Sequence, residues 1–167
     1  MTYCRLSIGP AKDFMTASAV PYRLEVRQSV IDRRGAFAAE AIPAGGLIGE
    51  YVGELITTAE ALKREADLSR PSIFTFWLDD HWALDGMYGG NDTIYLNHSC
   101  APNCYCEVDA TAKRVFMRAA RDIAAGEELT IDYAYDPAEP WEKCLCGAPT
   151  CRGYINDIAS VAVPPAP

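Results

Sequence analysis

The sequence predicts a mostly β fold of small sheets with few short helices. Short β-prone runs, alternating or continuously apolar, recur along the chain, and clusters of Gly, Pro, Asn and Asp separate them every ten residues or so. A single run has clear helical spacing, and the C-terminal part is rich in cysteine and turn residues. At 167 residues the chain is long enough to bury a core without covalent staples.

Residues 1–21 mix Cys4, Gly9, Pro10 and Lys12 without a period and read as an irregular or weakly helical N-terminal extension. From Tyr22, YRLEVRQSV alternates as a strand does. Asp32-Arg33-Arg34-Gly35 then makes a turn and AFAAEAI returns, which is a hairpin signal. LIGEYVGELI, residues 47–56, is expected as one further strand, with Gly49 and Gly53 marking bends or close approaches. Thr57 or Thr58 suits an N-cap for AEALKREADL, whose apolar and i,i+4 charge spacing predicts a surface helix ending before Pro71. IFTFWL and WALDG flank Asp79-Asp80-His81 as two strands, and MYGGND leads into YLNHSCAPNCYC at residues 95–106. KRVFMRAARDI begins as a strand, Ala124-Ala125-Gly126 turns, and EELTIDYAYD is expected as a final strand stopped by Pro137. After WEKCLCGAPTC, residues 157–167 end in VAVPPAP and read as a frayed tail.

A formal net charge of −8 argues against direct binding of nucleic acid, which needs a basic face, and suits a basic protein or peptide partner. The seven cysteines are an odd number, and six of them fall in two clusters. With no signal peptide and no apolar run long enough to span a bilayer, the expectation is a soluble intracellular protein with reduced or metal-bound thiols and no membrane partner. The oligomeric state is not legible in the sequence.

Two stretches carry chemistry. YLNHSCAPNCYC packs Asn97, His98, Cys100, Cys104 and Cys106 into twelve residues. It reads equally as a ligand-binding segment or as a polar loop with small buried cysteines. Cys144, Cys146 and Cys151 form C-x-C-x4-C, and Gly147 and Pro149 let that loop fold tightly. Tetrahedral zinc needs a fourth ligand, for which Cys100, Cys104 and Cys106 are the candidates.

These motifs together resemble a SET domain followed by a post-SET zinc tail, the fold of protein lysine methyltransferases. RRGAFAAEAIPAGGLIGEYVGELIT is similar to the N-terminal half of that family, YLNHSCAPNC to its central signature, GEELTIDYAY to its C-terminal signature and CLCGAPTC to the post-SET ligands, in the family's order. The resemblance runs from about Val26 to Cys151. It implies a SET domain over 22–137 of small curved sheets with a pseudoknot where the two signatures cross, and a zinc-bound post-SET segment over 138–156.

The resemblance also implies S-adenosyl-L-methionine as methyl donor, one structural Zn2+, and a lysine substrate in a basic segment such as a histone tail, a histone-like protein or a ribosomal protein. Tyr133 becomes the catalytic tyrosine and Tyr51 its neighbour in the lysine channel. Arg34, Gly35, Ala36 and Phe37 become the backbone cradle around the donor, Asn97 and His98 further donor contacts, and Leu145, with Trp141 as a lesser candidate, part of a lid. Cys100 becomes the fourth ligand beside Cys144, Cys146 and Cys151, which leaves Cys104 and Cys106 structural. Three positions depart from the pattern: Arg33 replaces a glycine, Ile94 an arginine, and Ile131 the Phe or Tyr that tends to limit the number of methyls added, so that di- or trimethylation is expected. A SET-like module that binds a lysine tail or a partner protein without catalysis is the alternative from another class, and a purely structural zinc domain a third.

Overall fold

The computed structural model of the chain describes residues 21–157. Most of the N-terminal extension and of the C-terminal tail therefore lie outside the described residues. The predicted hairpin is present: β1 (Leu24–Gln28) pairs antiparallel with β2 (Arg34–Ala38), with Val26 opposite Ala36. Ala36 and Ala38 face the core, while Phe37 is covered by the Arg27 guanidinium on the other side of the strand.

The run over 47–56 is two strands in two sheets, a correction to the single strand expected. β3 (Leu47–Tyr51) and β4 (Glu54–Thr57) part at Val52-Gly53. A Cβ on Gly53 would stand 2.6 Å from the Asp85 carbonyl carbon and oxygen, so the chain passes there only without a side chain. The helix α1 (Thr58–Glu65) follows, with the Thr57 hydroxyl accepting the Glu60 N–H as its N-cap. β5 (Thr75–Trp77) and β6 (Trp82–Asp85) form the hairpin around Asp79-Asp80-His81, and the order β4-β6-β5 makes one sheet, on which α1 packs through Ala61 against Ile56, Trp77 and Ala83.

A 3-10 turn over Asp92–Tyr95, capped by the Asn91 side chain, delivers the chain to β7 (Asn97–His98). The cysteine-rich stretch then becomes a strand that the sequence reading missed, β8 (Cys104–Asp109), which pairs with β9 (Arg114–Ala119) to give the sheet order β3-β9-β8. Cys104 and Cys106 point into the core beside Val115 and Met117.

The expected final strand is only two residues long, β10 (Thr130–Ile131), and runs parallel to β7. It stops early because Ala134 turns the backbone at φ +47°. Side chains extend this short pairing: Asn103 Oδ1 accepts the Thr130 N–H at 2.8 Å, and its Nδ2 donates to the Glu128 carbonyl at 2.8 Å. The two signature segments therefore lie against each other at the centre of the molecule. Among the described residues, no helix is long and apolar enough to cross a membrane.

Candidate active site and metal centre

Two cavities share a wall of Ile73, Phe74, Ile94, Tyr133 and Tyr135. A cleft of about 730 Å³ runs between the 31–34 turn, the 65–74 segment, Asn97, His98 and the 142–145 segment. A recess of about 40 Å³ lies behind it, walled by Tyr51, Phe74, Phe76, Leu96, Ile131 and Tyr135. Tyr133 borders both.

The two tyrosines are held by backbone carbonyls. The Tyr133 hydroxyl donates to Leu96 O at 2.9 Å, and the Tyr51 hydroxyl to Phe74 O at 2.6 Å. Burial raises the pKa of both above the usual phenol value, and for Tyr51 the nearby Asp85 carboxylate adds to it. Each hydroxyl is therefore a neutral donor whose oxygen keeps free lone pairs. Tyr135 stacks on Tyr133 with ring centroids 5.9 Å apart.

Asn97 and His98 are both buried on β7. Asn97 Nδ2 donates to Asp32 O at 3.3 Å, Arg34 O at 3.1 Å and Glu128 Oε1 at 2.8 Å, which fixes the turn at the cleft's edge. His98 Nδ1 accepts the Tyr133 N–H at 3.1 Å, while Nε2 stands 3.5 Å from Cys100 Sγ. Burial lowers the His98 pKa to about 4 against the opposing pull of Asp132. Arg34 lines the cleft and lays its guanidinium over the Tyr95 ring at 4.7 Å. Gly35, Ala36 and Phe37 continue into β2 and are not among the residues lining it. Arg33 has φ +32°, a conformation that favours glycine, and its guanidinium spans the cleft to donate to the Pro71 carbonyl. Ile94 borders both cavities and packs close to Gly86. Leu145 lines the cleft and is 69% exposed, whereas Trp141 packs edge-on against Tyr154.

The four cysteines converge. Sγ atoms of Cys100, Cys144, Cys146 and Cys151 all lie within 4.8 Å of one another. Cys100 Sγ is 3.6 Å from Cys144 Sγ and 3.9 Å from Cys151 Sγ. A tetrahedral ion with metal–sulfur bonds of about 2.3 Å requires sulfurs about 3.8 Å apart, so this group can hold a metal ion. Backbone N–H groups of Cys146 and Gly153 point at Cys144 Sγ (3.4 Å) and Cys151 Sγ (3.3 Å), which suits thiolates. Asn156, fully buried, accepts the Glu142 N–H and donates to Asp136 O and Pro140 O, and so docks the cysteine segment without help from the ion.

Several residues at the site escaped the sequence reading. Asp85, with no exposed surface, binds Arg70 through two hydrogen bonds (2.8 and 3.0 Å) and Arg64 through a third (2.9 Å). In the sequence it is only the end of WALDG. Phe74 O collects both the Tyr51 hydroxyl and the Gly86 N–H. Arg152 joins Asp132 by two bonds of 2.7 Å. An Asp or Arg inside a strand or cysteine segment was the only available signal.

Comparison with known proteins agrees with this architecture. The SET domain family matches residues 33–134. "Histone-lysine N-methyltransferase, H3 lysine-4 specific" of Schizosaccharomyces pombe is 38% identical over 148 residues, covering 86% of this chain and 16% of that protein. "Histone-lysine N-methyltransferase set-2" of Caenorhabditis elegans is 36% identical over 159 residues, 90% of this chain and 11% of that protein. The H3 lysine-4 specific enzyme of Saccharomyces cerevisiae is 36% identical over 137 residues, 77% and 13% of the respective lengths. This chain thus spans only a small part of each relative. With the family match extending over more than half its length, the chain belongs to the SET-domain family.

Proposed function

We propose that this chain is an S-adenosylmethionine-dependent protein-lysine N-methyltransferase whose substrate is a lysine in a basic segment, a histone tail foremost. The observation that carries this is an open cleft and a narrow aromatic recess that share a wall containing Tyr133. A transfer between two large molecules needs two entrances and one shared point. Relatives named as histone-lysine methyltransferases, two of them H3 lysine-4 specific, support the choice of substrate class. The net charge of −8 supports a basic partner. A histone substrate would place the protein inside the cell.

The cleft, bordered by Arg34, Asn97, His98 and Leu145, is the side for the donor. Bound there, S-adenosylmethionine supplies an electrophilic methyl group on a sulfonium. The recess takes the lysine. Its rings are apolar towards the aliphatic stem and attractive to cationic groups, and its low polarity favours the neutral amine that methyl transfer requires. Tyr133 and Tyr51 donate their protons to carbonyls, so their oxygens are free to accept N–H from the amine and aim its lone pair. Cys100, Cys144, Cys146 and Cys151 would hold zinc, which fits four soft thiolate donors at this spacing, and the ion would keep Leu145 at the mouth of the cleft.

The test is incubation of zinc-loaded protein with labelled S-adenosylmethionine and a panel of core histones and basic proteins, alongside Tyr133→Phe. Label on lysine, lowered on the order of a hundredfold in the variant, is expected. Cofactor binding without transfer to any protein would favour a lysine-tail binding module instead.

A further inference from the structure

We propose that His98 is a positioning residue that locks the metal-binding thiols and the catalytic tyrosine into one frame, one ring nitrogen serving each. The inference rests on the methyltransferase reading only for the role of Tyr133.

The two contacts of the ring fix each other. A backbone N–H can only donate, so Nδ1, 3.1 Å from Tyr133 N, must accept. In a neutral imidazole the proton then sits on Nε2, the atom 3.5 Å from Cys100 Sγ. A metal-bound thiolate is an acceptor, so the tautomer demanded by Tyr133 is the one that suits Cys100. The ring spans two segments that are 35 residues apart in the chain. It also lies against the Tyr133 ring, with centroids 5.5 Å apart.

A second tie runs beside the first, where Asp132 Oδ1 stands 3.6 Å from His98 Nδ1. Arg152 directly follows the ligand Cys151, and Asp132 directly precedes Tyr133; two bonds of 2.7 Å join them. The backbone at Tyr133 is therefore fastened to the thiol cluster by two neighbouring ties. Through these ties the thiol cluster, with or without its ion, would steady the Tyr133 backbone from which the ring reaches Leu96 O. Groups placed behind a metal ligand commonly change metal affinity or activity by about 10–100-fold when removed.

Two half-mimics of the ring separate its roles. His98→Asn keeps an acceptor near the place of Nδ1, but its amide N–H is too short to take the place of Nε2 at Cys100. His98→Gln carries an amide N–H near the place of Nε2 but has no acceptor for Tyr133. Each is loaded with Co2+ in place of zinc, and the thiolate-to-cobalt charge-transfer band, the rate of metal release to a chelator, kcat and KM are read. In His98→Asn the band is expected to move to lower energy and release to quicken about 10-fold. In His98→Gln the band stays in place while kcat falls about 10-fold with KM little changed. Wild-type band and kcat in both variants would overturn the proposal, as would equal losses of kcat with the band unmoved in both, the mark of a ring that only fills space.

A measurement on the wild type guards against variants that fail to fold. With 15N-labelled histidine, the shifts of His98 in the zinc-loaded protein are expected to show Nδ1 bare and Nε2 protonated; the reverse tautomer overturns the proposal. A wild type without turnover would refute the methyltransferase reading instead, and the cobalt band and nitrogen shifts would still decide the tie between His98 and Cys100.

Discussion

Replacing Arg70 by methionine removes a guanidinium from a carboxylate that water cannot reach. The Asp85 side chain is 0% exposed and that of Arg70 only 9%. Asp85 Oδ1 takes Arg70 Nη2 at 2.8 Å and the Met87 N–H at 3.1 Å; Oδ2 takes Arg70 Nη1 at 3.0 Å and Arg64 Nη1 at 2.9 Å. Breaking a buried ion pair by deleting one partner costs about 3–5 kcal/mol. Here Arg64 and an amide stay behind, so a loss of about 2–3 kcal/mol is expected, just below that range. At about 2–4 °C per kcal/mol for a domain of this size, Tm drops by roughly 5–10 °C. Function should follow, because Arg70 anchors the segment leading to Phe74, whose carbonyl receives both the Tyr51 hydroxyl (2.6 Å) and the Gly86 N–H (2.8 Å). KM for the lysine substrate is expected to rise more than kcat falls. Urea titration of the zinc-loaded protein gives the stability, and adding Asp85→Asn, which discharges the stranded carboxylate, should recover part of the loss. A change below about 0.5 kcal/mol for Arg70→Met, or no recovery in the double variant, would refute the reasoning.

Two further predictions concern the recess and the surface. Ile131 is a wall of the 40 Å³ recess, and its aliphatic side chain leaves room for added methyls. Mass spectrometry of the product should show di- or trimethyl-lysine for the wild type and a shift to monomethyl-lysine for Ile131→Tyr; a wild type that stops at one methyl would sink this. Glu127 is held at about 2, well below 4.5, by its hydrogen bond from Arg121, with Asn103 and the Ala124 N–H assisting against partial burial. Its folded pKa is the lower one, so its contribution is present above pH 4.5 and vanishes as the pH falls towards 2. Screened by solvent, it amounts to about 1 kcal/mol. The gap in urea midpoint between wild type and Glu127→Gln should be open at pH 7 and closed near pH 2, and a gap independent of pH would contradict the assignment.

The first hairpin was legible because alternation over 24–28 and the Asp32–Gly35 turn are local signals, and the helix because Thr57 caps a run with its own periodicity. The break at Val52-Gly53 was not. Its cause is the backbone of Asp85, more than thirty residues away, whose approach excludes a Cβ. β8 was hidden for the opposite reason: in CYCEVD the cysteines that alternate into the core looked like metal ligands. The last strand was overcalled because EELTIDYAYD alternates well, yet β7 offers it a partner only two residues long.

By itself the sequence determined the chemical inventory: three thiols with ligand spacing and three candidates for a fourth, two tyrosines in strand-like runs, an Asn-His pair, and a net negative charge suited to a basic partner. Residue identity and short-range spacing are written into the chain, so such features can be read directly. Only the tertiary structure decided which of them meet. It brought Cys100 to the three tail thiols, as the family resemblance had implied, put Tyr133 on the wall between cleft and recess, and paired Asp85 with two arginines. Meetings of that kind depend on how every sheet packs against its neighbours at once, a sum over long-range contacts that no local run of residues encodes.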